Sequence, residues 1–207
     1  TYVVNCPKTI SRVMKADVDN YPKCDITTAA LDGLVGQSIF TVSGAVWKRQ
    51  HRMISQVFAK LKLADVFLEM PKAMVESLDR IEAKVGATLN IDTEMSYVTA
   101  DVIFRTMFSR PIDDSEARLI FDEFANYQNA LPHTTVWSLL TSTSHNRKAL
   151  PRRAQQAADR IRDVIRQLLA ERRSGKVRHD DICQIIADCR DPEDGKPFTD
   201  QEAIDQI

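Results

Sequence analysis

Apolar side chains recur at intervals of three and four residues through most of this sequence, a spacing that suits packed amphipathic helices and little else. From Val46 to Phe58 the stripe is Trp47, His51, Ile54 and Phe58, with Lys48, Arg49 and Arg52 lying off it. Met74, Leu78, Ile81 and Val85 form a second stripe, in a helix that Pro71 opens and Gly86 stops. Asp92 is placed to cap a third helix, in which Met95, Val98, Val102, Ile103 and Met107 face inward until Pro111 ends it. Asp113 and Glu116 are spaced as a capping box for a fourth, bearing Ile120, Phe121, Phe124 and Tyr127. Pro151 starts the longest helix, with Ala158, Ile161, Ile165 and Leu168 on one face, a basic outer face, and an end near Gly175. Asp180 caps a short helix through Ile182, Ile185, Ile186 and Cys189. The run from Asp191 to Pro197 then turns the chain, and Thr199 with Glu202 opens a last helix.

Between these helices the signals are of other kinds. Tyr2-Val3-Val4 reads as a strand in progress, followed by a short helix over Pro7–Lys15. The segment Tyr21–Ser43, with Gly33, Gly36 and mixed Thr and Ala, reads as a long loop, and Leu131–Leu150 as a mobile loop with apolar teeth. The expected fold class is therefore mainly α, with a minor β contribution near the N-terminus. Six glycines, eight prolines and no repeat period leave no flexible linker, and 43% hydrophobic residues in 207 can fill one core. The final helix has run barely two turns when the sequence stops at Ile207. With the strand already under way at the start, residues 1–207 are expected to be part of one domain truncated at both ends.

Charge excludes some partners. Lys plus Arg (28) nearly cancels Asp plus Glu (29), and the basic residues after Pro151 have no stacking aromatics between them, so a nucleic-acid partner is not expected. No apolar run approaches the ~20 residues of a membrane helix, so no membrane segment is expected in this chain. Cys6, Cys24, Cys183 and Cys189 show neither C-x-x-C spacing nor His partners at zinc-site intervals, which argues against a structural metal and for reduced thiols in a cytoplasmic setting.

One spacing carries chemistry. An indole N–H and an imidazole N–H four residues apart on a helix, as in Trp47-Lys48-Arg49-Gln50-His51, project together and can both donate to one carboxylate. Downstream come Asp101-Val102-Ile103-Phe104-Arg105-Thr106-Met107-Phe108, and then Asp180-Asp181-Ile182 through Gly195-Lys196-Pro197-Phe198-Thr199-Asp200-Gln201-Glu202. In this order the segments resemble the amino-terminal half of a cytochrome P450, a haem-thiolate monooxygenase, nearest to its soluble bacterial-type members.

That resemblance implies the first part of the cytochrome P450 fold, from its first strand to the start of its central helix, and haem b as the cofactor of the full-length protein. It makes Trp47 and His51 donors to a haem propionate, with His51 where the family more often has Arg, and Lys23 a further cation beside a propionate. It sets Ile39 near the porphyrin edge, Ile103 on the haem face, and Phe40 above the haem, limiting how substrate approaches. Phe124 and Leu131 belong to a roof over the substrate pocket running from Phe121 to Leu140. Lys48, Arg49 and Arg52 would dock an acidic electron donor, or one of them would pair with a propionate. The implied reaction inserts one atom of dioxygen into an apolar small-molecule substrate, with electrons from a ferredoxin or flavoprotein.

No catalytic residue and no metal ligand is expected within these residues. The family's F-x-x-G-x-R-x-C-x-G loop, its E-x-x-R pair and its A-G-x-[D/E]-T motif do not occur here, so the chain would bind and orient without turning anything over. The rival reading is an all-helical ligand-binding or interaction module without haem, which has no use for the Trp47/His51 spacing.

Overall fold

A computed structural model of the chain describes residues 3–23, 25–60, 63–113, 115–131, 150–176 and 178–207. It is organised around one long helix, α7 (Arg152–Ser174) by the numbering used below, which follows Pro151 and ends where Gly175 adopts a left-handed φ of 68°. The buried face of α7 begins with Ala154, Ala157 and Ala158 and continues through Ile161, Val164, Ile165, Leu168 and Leu169. The alanines leave room for a large neighbour, and Tyr127 of α6 (Ser115–Ala130) fills it.

Further along α7, two more clusters form on its wider residues. In the first, Ile161, Ile165 and Leu169 meet Met53, Ile54 and Val57 of α3 (Gly44–Lys60). Ile186 of α8 (Ile182–Asp188), Phe198, and Ala203 and Ile204 of α9 (Asp200–Gln206) close it. In the second, Val164 and Leu168 meet Phe104 and Phe108 of α5 (Ile91–Phe108), together with Ile112, Ala117 and Cys183. Each fully buried Phe, Leu or Ile contributes about 1.5–3 kcal/mol, so these clusters outweigh anything on the surface. Helix α4 (Leu63–Glu82) packs antiparallel to α5, tied by Arg105 to Glu76 at 2.6 Å and Lys84 to Glu94 at 2.5 Å.

Several local expectations are corrected. Val3 and Val4 are exposed and not in a strand. Among the described residues the only β pairing is an isolated bridge between Arg190 and Pro197, so the structure is almost purely helical. The first helix is α1 (Pro7–Ser11), continued by a π-helical turn over Arg12–Ala16. The segment read as a loop, Tyr21–Ser43, contains α2 (Asp25–Val35), which packs on α7 and α9. A Cβ on Gly33 would meet the end of the Leu150 side chain, which would have to shift, and the Leu34 carbonyl accepts from the Arg162 guanidinium at 2.8 Å. Pro71 lies inside α4 rather than at its start.

Capping residues shift by one or two positions. Asn90, not Asp92, caps α5, its side chain accepting from the backbone N–H groups of Asp92 and Thr93. Asp181, not Asp180, caps α8, accepting from the Gln184 N–H. Asp113 makes an ion pair with Arg80 at 3.7 Å and Glu116 one with Arg110 at 2.9 Å, while the capping box expected of them adjoins Asp114, outside the described residues. The capping box of Thr199 and Glu202 forms as read. The expected loop over Leu131–Leu150 lies, apart from its two end residues, outside the described residues.

Helix α5 is rotated from its expected orientation. Glu94, Asp101, Phe104 and Phe108 are buried, whereas Met95 and Ile103 face solvent. Two phenylalanines bury more area than the Met and Ile they displace, and Asp101 is tolerated inside because Oδ1 accepts from Arg105 Nε at 3.0 Å and from the Ile112 N–H at 2.7 Å.

Candidate cofactor-binding face

Helix α3 has three flanks. Gln50, Met53, Ile54 and Val57 face the core. Arg49 and Arg52 face α9 and the segment that links it to α8: Arg49 reaches Glu202 at 2.6 Å and Asp191 at 3.5 Å, and Arg52 reaches Asp191 at 3.1 Å and Glu193 at 2.8 Å. The third flank carries Trp47, half-buried, and His51, exposed, their rings stacked with centroids 4.6 Å apart and 30° between planes. The spacing of one helical turn thus brings the two rings together beside the core instead of within it. Ile54 separates from the stripe the sequence suggested by turning inward, while Phe58 stays exposed.

The same geometry engages two of the three bases of the basic cluster within the chain. Arg49 and Arg52 are taken by acids of this chain, 139 to 153 residues away in sequence, because a partly buried guanidinium needs a nearby carboxylate. Lys48, the third, is exposed.

Ahead of α3, the turn from Gly36 to Val42 carries the other candidates. Lys23 is half-buried and its ammonium donates to the carbonyls of Ile39 at 2.5 Å and Val42 at 2.7 Å. Loss of water around it pushes the Lys23 pKa down. Ile39 packs against the core cluster that α3 shares with α7, whereas the Phe40 ring is 67% exposed. On α5, Ile103 is 53% exposed, and on α6, Phe124 is 42% exposed. Leu131 is partly buried against Tyr127, Ala154, Ala157 and Ala158.

Sequence reasoning missed three residues that shape this region. Gln50 is buried and donates to the Gln37 carbonyl at 2.8 Å. Asp205 accepts from the Gln37 N–H at 2.9 Å, and Gln206 accepts from the Ile39 N–H at 3.2 Å. The available signal was a polar residue on an apolar stripe, which also describes an ordinary helix edge.

Thiols and cavities lie elsewhere. Cys183 and Cys189 are in the core, where burial pushes the Cys183 thiol up to about 12 and raises Cys189 as well, so both stay protonated near neutrality. Cys6 is exposed, its pKa lowered by hydrogen bonds from the first turn of α1. A cavity of about 290 Å³ between α6 and α7 is lined by Glu123, Asn129, Arg153 and Arg160, and a cleft of about 470 Å³ near the end of α7 by Arg173, Arg178, Gln184 and Arg190. Among the described residues no group of three or more His, Cys, Asp or Glu could hold a metal ion, and no helix is long and apolar enough to cross a membrane.

Two ring N–H donors stacked on a flank of α3 outside the core suit an anionic group such as a haem propionate, and the apolar side chains of Phe40 and Ile103 are more than half exposed.

A family profile described as Cytochrome P450 matches residues 1–207. A cyclooctat-9-en-7-ol 5-monooxygenase from Streptomyces melanosporofaciens is 26% identical over 84% of this chain and 37% of its own length. A bifunctional cytochrome P450/NADPH–P450 reductase from Gibberella moniliformis is 24% identical over 89% of this chain and 17% of its own length. Among solved structures, the haem domain of cytochrome P450DA superposes with a TM-score of 0.68 at 17% identity, over 89% of this chain and 40% of that one. A variant of the same haem domain reaches 0.70 at 16% identity, over 98% and 44%. The chain therefore spans well under half the length of these relatives.

Proposed function

The chain belongs to the cytochrome P450 family, and we propose that it provides the part of a haem monooxygenase that grips the acidic edge of haem b and shapes the space for an apolar substrate. The observation that carries this reading is the stacked pair of Trp47 and His51, held on a flank of α3 that the core does not use. Haem, when bound, supplies the iron at which dioxygen is activated and one of its atoms passed to substrate.

The residues of this chain bind and orient. Trp47 donates its indole N–H and His51 an imidazole N–H to a propionate, a charge-assisted contact stronger than a neutral one. Lys23 has three N–H donors and uses two on the carbonyls of Ile39 and Val42, which leaves the third for a propionate oxygen. Ile39 and Ile103 supply apolar contact to the porphyrin, at its edge and on its face. Phe40 limits the approach of substrate, and Phe124 and Leu131 line the roof above it. None of Cys6, Cys24, Cys183 and Cys189 stands in the family's F-x-x-G-x-R-x-C-x-G context, so these residues alone would turn over no substrate.

Electrons would come from a ferredoxin or a flavoprotein. The fused reductase of the Gibberella moniliformis relative supports the flavoprotein, and exposed Lys48 is the base of the Lys48, Arg49 and Arg52 cluster left to meet an acidic donor. A helical module without haem is not favoured, since it gives the Trp47/His51 pair nothing to hold.

In the full-length haem protein, Trp47→Ala and His51→Ala should each weaken haem retention by about tenfold or more, the equivalent of one hydrogen bond to a charged group. Haem content per folded protein after challenge with a haem acceptor measures this. Unchanged retention in both variants rejects the assignment, and His51→Arg should restore what His51→Ala loses.

A further inference from the structure

We infer that Asp205 and Lys23 are positioning residues that hold the Gly36–Val42 turn from two sides and thereby set where the Phe40 ring stands. The turn is short and at the surface, yet its backbone is almost fully bonded. Asp205, itself buried, accepts the Gln37 N–H at 2.9 Å. The same carboxylate pairs with Arg162 of α7 and accepts from Gln201 at 2.9 Å, so one side chain joins the turn to two helices. Gln206 takes the Ile39 N–H at 3.2 Å and Gln50 gives to the Gln37 carbonyl at 2.8 Å. Inside the turn, buried Ser38 accepts from the Phe40 N–H at 3.2 Å, and the Thr41 hydroxyl donates to the Gly36 carbonyl at 2.6 Å.

On the opposite side, Lys23 closes the turn through the carbonyls of Ile39 and Val42. Gly36 completes the fit. Its φ is +49°, and a Cβ there would lie 2.5 Å from the Asp205 carboxylate, so the close approach excludes any other residue. A surface connector would leave most of these groups to water; here their partners are drawn from Lys23 ahead of α2, from α3, from α9 and, through Asp205, from α7. The Phe40 side chain is what the turn offers outward. Any release of the struts therefore changes the angle at which that ring meets a substrate.

The consequence for selectivity rests on the reading of Phe40 given above, whereas the consequence for the turn itself does not. In the full-length haem protein, Lys23→Met keeps the apolar stem and removes both donations, and Asp205→Ala removes the acceptor. Amide hydrogen exchange read by mass spectrometry should quicken about tenfold at Gln37–Val42 in each, with helices α7 and α5 unchanged. Asp205→Ala also strips Arg162 of its carboxylate partner, so exchange spreading beyond the turn would mark general loosening, and Lys23→Met then decides. The second readout is the ratio of oxidation products from one apolar substrate, which should move in both variants in the direction that Phe40→Ala moves it. Unchanged exchange in the turn overturns the positioning role whatever the haem chemistry. Faster exchange with an unmoved product ratio, while Phe40→Ala does move it, overturns the link to selectivity and leaves the Phe40 reading standing. A ratio indifferent to Phe40→Ala sinks that reading and the selectivity claim together.

Discussion

Asp181 and Arg172 bury their charges completely against each other at 2.8 Å, in a network where Ser109 donates to the same carboxylate and the Phe108 carbonyl accepts from the guanidinium. The carboxylate also caps α8 through the Gln184 N–H at 2.8 Å. Removing one partner strands the other charge in the core, so Asp181→Ala should cost about 3–5 kcal/mol in urea unfolding. The double change Arg172→Met with Asp181→Leu should recover most of it, because a buried pair and an apolar pair of similar size differ little in net stability. Sequence reading came within one residue of this site. Asp180 and Asp181 have the same cap chemistry, and only the backbone dihedrals at the start of α8 select between them. Asn90 and Asp92 pose the same ambiguity at α5, resolved in the same way. By contrast Trp47 and His51 were legible together, since a four-residue spacing on a helix sets their proximity without help from any other element.

Among the helices, α4 departs most from its sequence signal. Pro71 suggested a start, yet the helix runs through it from Leu63 to Glu82. A proline inside a helix lacks the N–H that would reach back one turn and crowds the carbonyl there. Pro71 is exposed, so Pro71→Ala should restore that bond without disturbing the core and stabilise the protein by about 1–3 kcal/mol, read as a raised thermal midpoint. A lowered midpoint would show that the proline shapes a packing contact. Helix α2 was missed for a related reason: Thr, Ala and Gly give a weak helical signal, and its packing on α7 and α9 supplies what propensity does not. In α5 the period was right and the phase wrong, because hydrophobicity ranks Met95 and Ile103 above Asp101, and only bonded partners make Asp101 the better residue to bury.

At the scale of the whole molecule, α3 is fastened to α9 and the segment before it by ion pairs from Arg49 and Arg52 to Asp191, Glu193 and Glu202. The Asp191 carboxyl is held below the usual range, first by the Glu193 N–H that donates to it and then by Arg52. A carboxylate whose pKa falls on folding stabilises the native state above its unfolded pKa and loses that contribution as pH drops through the lower folded value. Stability should therefore fall from about pH 5 downward, and Asp191→Asn should flatten that slope in urea midpoints taken across the acid range. An unaltered slope would mean that other carboxylates carry it.

Helical periodicity, cap chemistry and the Trp47/His51 spacing act over one or two turns, so the sequence by itself determined most helices, their number along the longer stretches, and the proximity of the Trp47 and His51 rings. The consumption of Arg49 and Arg52 and the anchoring of the Gly36–Val42 turn by Asp205 depend on residues 139 to 168 positions away, and the phase of α5 depends on its packing against Val164, Leu168 and Cys183. Those choices were made only in the packed structure, because burial and hydrogen bonding between distant segments have no counterpart in local spacing.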